Sequence, residues 1–329
     1  MTAFLTPEHG APRSLPLGFS IDDIARIETA IAAHHAPSTL ESYGSAWRGF
    51  ERWCHQRGFT PVPATPEIVC AYITTQAERG LTMGMVTSTL AAIAHWHTSA
   101  GMKSPTDSEL VRRVRRGLRR ILGVAPRRQA RPLMVDDIRQ ILAAIDRTTA
   151  AGKRDAALIL LGFASALRRS ELAALDVTDI ASKPGGLLIT VRRSKGDPDA
   201  AGQTVAVAEG RWAETDAVAA IGAWLHIRPR VVGRVFTRVH ANGTISSDQI
   251  NAASVARIVK TRAHAVGFSA DRITAHSLRA GHATSAAMAG VPLDRIAAQT
   301  RHRDLSTLVR YYIRPVEAMM TTSSRHLGL

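Results

Sequence analysis

Apolar residues in the first third of the chain recur three and four positions apart, the period of helices with one buried face. Leu40, Tyr43, Trp47, Phe50 and Cys54 form one such run, and Gly58 ends it. Ser38 and Glu41, three apart ahead of the run, have the spacing of a capping box and mark its start. In "TPEIVCAYITTQAERG", Thr65 reads as the cap, Pro66 as the first helical residue and Gly80 as the stop. A third segment, "LTMGMVTSTLAAIAHWHTSAG", turns Val86, Leu90, Ile93 and Trp96 inward. A fourth, "SPTDSELVRRVRRGLRRILG", gathers Val111, Val114, Leu118 and Ile121 on one side. With a short helix over 21–34, these predict an all-helical bundle at 21–125. The Pro/Gly-rich residues 1–20 before it are expected to be mobile.

The texture changes after Met134. Helices are predicted over 135–146, 153–166, 169–177, 214–226, 250–266, 277–289 and 292–300, with one more through Tyr311 and Tyr312. "GLLITVRRS" and "GQTVAVAE" flank the turn-rich "KGDPDAAG" and read as an antiparallel hairpin. The expected architecture is therefore mainly α. A helical bundle is joined by an arginine-rich linker, 126–133, to an α+β domain, 134–329, with a small β element.

Charge sharpens this picture. Lys and Arg number 42 against 27 Asp and Glu, a net charge of +15, which favours a polyanionic partner. Only five of the basic residues are lysine. Arginine forks suit phosphate, although a GC-rich genome also enriches arginine. Residues 112–131 hold nine arginines and no acid. Such a run is ordinarily a solvated face, but one-signed charge at a domain junction favours contact with phosphates. Cys54 and Cys70 fall in apolar helical patterns without metal spacing and read as core residues of a reducing compartment. There is no basic-then-apolar leader and no apolar run of the ~18 residues a membrane span needs, so a cytoplasmic protein with no membrane partner is expected.

The chemistry must come from scattered polar groups, because Gly-rich phosphate loops and metal-spaced His/Asp/Glu clusters are absent. Arg168, Lys195, His276, Arg279, His302 and a tyrosine stand out. Together they suit a phosphodiester: arginines neutralise the non-bridging oxygens without a metal, and a tyrosine can attack phosphorus covalently. No metal or cofactor is expected. An ammonium releases a proton and a guanidinium does not, so Lys195 is informative in a chain that prefers arginine. Ser277 is placed to cap the following helix, which would put Arg279 in its first turn. Each group alone has an ordinary explanation: a helical ion pair for Arg168 and Glu171, a helix-start hydrogen bond for His276, a solvated turn for Lys195 and packing for the tyrosines.

Four boxes taken in order change the balance. "ALRRSELAAL", "RRSKG", "AHSLRAGHAT" and "HRDLSTLVRYY" resemble the tyrosine recombinases, the phage integrase family, and the likeness spans roughly residues 20–315. It implies a SAM-like core-binding bundle followed by the catalytic domain. It further implies that Arg168 and Arg279 hold the scissile phosphate, with His302 bonded to a non-bridging oxygen. Lys195 would protonate the leaving 5′-oxygen, His276 would assist proton movement, and Glu171 would orient these groups. The nine-residue spacing from His302 lands on Tyr311 as nucleophile, while the following "IRP" suits Tyr312 as the alternative. Strand exchange through a 3′-phosphotyrosine, by a tetramer on double-stranded target DNA, follows from the resemblance. Thr87, Ser88, Asn251, Ser254 and Arg257 are candidates for reading bases, and Arg115, Arg119, Arg127, Arg128, Arg192 and Arg193 for holding the backbone. By the same resemblance the tail "PVEAMMTTSSRHLGL" docks on a neighbouring protomer. Two departures stand out. Arg301 replaces a frequent glycine, where it alters a turn or adds a phosphate contact, and His282 reads as a packing or capping histidine. A type IB topoisomerase and a non-catalytic DNA-binding protein are the alternatives, and the N-terminal helical bundle favours the recombinase.

Overall fold

The structure, a computed structural model, describes residues 20–32, 34–124, 130–192, 202–229 and 232–313. The chain divides into two units, Met1–Arg127 and Arg128–Leu329. The expected mobile segment (apart from Ser20), the first half of the 126–133 linker, Lys195 and the C-terminal tail fall outside the described residues.

The first unit contains α1 (Ile21–Ala32), α2 (Pro37–Gln56), α3 (Pro66–Glu78), α4 (Met83–Ser99) and α5 (Glu109–Leu122). Its core is aromatic: Trp47, Phe50 and Trp53 of α2 pack with Tyr72 of α3 and Ile93 of α4. Burying a side chain such as Phe50 contributes about 1.5–3 kcal/mol. Thr65 caps α3 through Ile68 N, as expected. The Ser38 capping box does not form. Helix α2 begins at Pro37, two residues before the start a Ser38 cap would give; the preset φ of proline starts a helix, and it has no N–H to be capped. Ile121 is also not inward; it is 78% exposed at the end of α5, while Val111 and Leu118 are buried.

The second unit is built around α7 (Ala150–Ala164), whose residues Ala156–Leu161 are buried on every side. Around it lie α6 (Val135–Ala143), α8 (Arg169–Ala174), α9 (Ala217–Ile227), α10 (Ala252–Ala265) and α11 (His276–Met288). Helices α12 (Leu293–Thr300) and α13 (Leu305–Tyr311) follow α11 and cover its far side through Ile296, Ala297 and Leu308. The expected hairpin exists as β2 (Gly186–Val191) and β3 (Gln203–Ala208), paired antiparallel with Ile189 opposite Val205. Two features were not foreseen. A strand β1 (Ile180–Lys183) joins the edge of β2, making three strands, and a separate pair forms from β4 (Thr237–Val239) and β5 (Ile245–Gln249). Strand β1 is short and mostly exposed, so it lacks the apolar alternation by which strands are read. No helix among the described residues is long and apolar enough to cross a membrane.

Where the chain enters the second unit it is already structural. Arg131 N donates to Arg272 O at 2.8 Å and Leu133 N to Ser277 O at 3.0 Å, while the Arg131 guanidinium pairs with Asp137 and lies over the Phe268 ring. Leu133, fully buried, crosses α11 so closely that a Cβ on Gly281 would lie 1.8 Å from its carbonyl oxygen. Gly281→Ala should therefore destabilise the protein by about 1–3 kcal/mol, although alanine is the better helix former. Urea unfolding followed by circular dichroism reads this as a lowered midpoint.

Candidate active site

Helix α11 carries the central residue. Arg279 sits one turn into it, its side chain 1% exposed. The guanidinium is held from two directions: Nη1 donates to Ala166 O at 2.6 Å, and Nη2 donates to Thr300 O. Ser277 does not cap the helix as the sequence suggests. The helix begins at His276, and the Ser277 hydroxyl turns back to accept from Thr274 N at 3.0 Å. Burial, with the like charges of Arg168 and Arg301, pushes Arg279 down to about 10, so it remains a cation at neutral pH.

Arg168 occupies the N-cap of α8, and Glu171 in that helix's first turn closes back on it. Glu171 Oε2 accepts from Arg168 N, and Oε1 accepts from Arg168 Nη1, both at 2.7 Å. A third donor arrives from α12: Arg301 Nη2 meets Glu171 Oε2 at 2.5 Å. Burial acts to raise the Glu171 carboxyl, and Arg301 with Arg168 overcomes it, so the group stays below its usual range. Arg301 therefore neither extends into solvent nor awaits a phosphate. It has a left-handed backbone, φ 55°, and is buried against this carboxylate.

His302 follows directly. Its Nδ1 lies 2.7 Å from Thr300 Oγ1, and its Nε2 lies 3.4 Å from Arg279 Nη2. The Thr300 hydroxyl gives its single proton to Ile296 O, so it accepts from His302. The proton then sits on Nδ1, leaving Nε2 as the acceptor facing Arg279. Burial first, then the three guanidiniums of Arg279, Arg168 and Arg301, push His302 down to about 4. The imidazole is neutral at pH 7.

The tyrosine helix is fixed at its start by Asp304. That carboxylate accepts from Ser306 and Thr307, backbone and hydroxyl alike, and is pushed down to about 2 by these bonds. At the helix end the two tyrosines diverge. The Tyr312 ring centre lies 4.3 Å from that of His302, and Arg279 Cζ lies 5.4 Å from it. Tyr312 O also accepts from Thr284 Oγ1 of α11 at 3.1 Å. Tyr311 instead has Arg310 over its ring, 5.5 Å away. The structure thus brings Arg168, Glu171, Arg279, His302 and Tyr312 together. His276 begins the same helical turn as Arg279 and is exposed. Among the described residues no group of three or more His, Cys, Asp or Glu is placed to hold a metal ion.

The residue order along the chain and this convergence can be set beside known proteins. The phage integrase family matches residues 131–318. An integrase/recombinase XerD homolog of Selenomonas ruminantium is 33% identical over 279 residues, covering 84% of this chain and 81% of the relative.

The chain belongs to the phage integrase family of tyrosine recombinases.

The recombinase is also 26% identical to the Cre recombinase of Escherichia phage P1 over 325 residues, 90% of each chain. Its fold matches that of the Tn1549 transposon integrase, solved in complex with transposon right end DNA, with a TM-score of 0.59, 16% identity and coverage of 92% and 98% of the two chains.

The residues nominated for DNA divide by what already holds them. On α5 of the recombinase, Arg115 and Arg119 are exposed and form no ion pair with a described residue, whereas Arg112 and Arg116 pair with Glu109. Arg192 is tied to Asp179 and Thr178. Thr87 donates back to Met83 O, and Ser88 is exposed. Asn251 caps α10 through Ser254 N, and Arg257 reaches Ser254 Oγ at 3.5 Å. Arg127, Arg128 and Arg193 lie outside the described residues. Sequence reasoning missed the Arg301–Glu171 pair, whose one visible sign is an arginine at a helix end that usually takes glycine. His282 is the packing histidine expected: it lies edge-on to Phe163, and burial pushes it down to about 4.

His282 and His302 both titrate near 4 when folded, against 6.5 for an unperturbed imidazole. Between these values the unfolded chain binds protons that the folded chain excludes. Stability should therefore be complete above about pH 6.5 and decline as pH falls toward 4. His282→Gln, which keeps a donor for Phe163 O but cannot titrate, should remove part of that decline. Urea midpoints measured across the interval give the slope for both proteins.

Proposed function

We propose that this recombinase performs site-specific strand exchange on double-stranded DNA through a 3′-phosphotyrosine, with Tyr312 as the nucleophile. The observation that supports it most directly is the packing of the Tyr312 ring against His302 and Arg279 in one pocket. Adjacent residues near a helix end point in different directions, so one phenol serves and the other does not. The spacing argument placed the attack on Tyr311; the pocket geometry favours its neighbour.

In this reading Arg168 and Arg279 bind the non-bridging oxygens of the scissile phosphate and stabilise the charge that develops there. The anion favours the protonated imidazole of His302, which converts Nε2 from an acceptor into a donor toward a phosphate oxygen. The phenol oxygen forms a bond to phosphorus as the bond to the 5′-oxygen breaks. Lys195 supplies the proton to that leaving oxygen, and the phenol proton passes to His276, as in the family that the motifs resemble. The phosphotyrosine conserves the ester bond, so the free 5′-hydroxyl of a partner duplex reseals it without ATP. Four protomers acting on two sites, in the cytoplasm, complete the exchange. The helical bundle of the first unit, 21–125, clamps the duplex. The exposed face of α5 and the arginines of the 126–133 linker track the backbone, while α4 and the start of α10 lie toward the grooves.

A duplex of the natural site, nicked so that the cleaved end diffuses away, should leave a denaturant-resistant protein–DNA adduct. Tyr312→Phe should abolish the adduct and leave DNA binding intact, and Tyr311→Phe should retain it. The reverse pattern would transfer the role to Tyr311, and no adduct from the native chain would remove the proposal. Affinity should fall steeply with added salt, and Arg119→Ala should reduce the slope of log affinity against log salt by about 1, as for any lost phosphate contact.

A further inference from the structure

Glu171 is bonded to two arginines, and only one of them has a place in the reaction. The Arg301 side chain is 3% exposed and that of Glu171 2%, so Arg301 is sealed away from any phosphate, and its one charged partner is that carboxylate. Its backbone makes the arrangement unusual. Arg301 N donates to Ala298 O and His302 N to Ala297 O, closing α12 in a left-handed turn with φ 55°. Glycine satisfies that turn with no steric penalty. An arginine is worse for the turn, so its presence has to be explained by what the guanidinium does. Its Nη2 bonds the same Glu171 oxygen that accepts from Arg168 N, and its Nη1 reaches Gln299 O at 3.3 Å.

We propose that Arg301 is a positioning residue: by sharing the Glu171 carboxylate it keeps Arg168 from being neutralised by that carboxylate and holds it at the phosphate pocket. This rests on the reading of the pocket as a phosphate site. The cluster contains the buried guanidiniums of Arg279 and Arg301, the half-buried one of Arg168 and the carboxylate of Glu171, beside a neutral His302. Without Arg301, Glu171 would be left to Arg168 alone, and a buried one-to-one pair would draw that arginine's fork toward the protein. With it, the carboxylate is satisfied from the α12 side, and the end of α12, where Thr300 and His302 engage Arg279, is tied to the start of α8. One carboxylate thus sets the distance between the two walls of the pocket.

Inorganic sulfate, which does not titrate near neutrality, is the probe. Its affinity for the full chain is measured by calorimetry at constant ionic strength for the native protein, Arg301→Gly, Arg301→Lys, Glu171→Gln and the Arg301→Gly/Glu171→Gln double variant, each first shown to be folded by circular dichroism. Arg301→Gly should bind sulfate about tenfold more weakly, in the range expected of coupled neighbours, and Arg301→Lys should recover much of the loss. In the Glu171→Gln background the same Arg301→Gly change should have a clearly smaller effect. A charge acting only at long range would weaken binding equally in both backgrounds, and that result overturns the proposal, as does native-like binding by Arg301→Gly. If the native chain itself binds no sulfate, the phosphate-site reading fails instead.

Discussion

The buried guanidinium of Arg279 is the constraint around which the second unit is arranged. A cation withdrawn from water costs several kcal/mol unless its N–H groups find acceptors. Here the acceptors are backbone carbonyls of Ala166, just past α7, and Thr300, at the end of α12. Both segments are therefore committed to one geometry. Ala166 adopts φ 50° and Arg301, one residue beyond Thr300, φ 55°; these are the two non-glycine residues with positive φ among those described. Left-handed backbone costs roughly 1–2 kcal/mol per residue. Both instances lie within two residues of a site arginine or of a carbonyl that holds one, which is where strain is expected to be retained for function.

The electrostatics follow from this arrangement. Three guanidiniums gather around one carboxylate that pairs with two of them, and the neighbouring imidazole avoids a proton because it is buried and a further cation there would be repelled. The pocket is thus an unbalanced positive centre in partly dry surroundings. Such a centre is most stable with an anion in it. On the proposed function, the same imbalance would stabilise the negative charge that builds up around phosphorus during transfer more than that of the ground-state diester.

Much of this was legible in the sequence, and what escaped has physical reasons. Most helices could be read because they bury one face at a regular period, as those carrying Phe50 and Ile93 do, and caps such as Thr65 announce themselves by residue type. The boxes around Arg168, Arg279 and His302 were visible because their residue types are rare in combination. Strand β1 escaped because it is short and exposed, and the β4–β5 pair because its five- and three-residue strands bury little. Spacing could not choose between adjacent tyrosines, since that depends on where α13 ends and which way Tyr312 turns at its C-cap. Partnership across 130 positions, as between Glu171 and Arg301, has no local pattern at all.

The crossing of Leu133 over Gly281 gives the incoming chain a mechanical role. Its backbone is bonded to Ser277 and wedged against α11 with no room for even a methyl group, two residues from Arg279 on either side. The Leu133 backbone and the helix bearing the central arginine are thus packed as one piece, and a bulkier residue at 281 would push them apart and disturb the bonds of Arg279 to Ala166 O and Thr300 O.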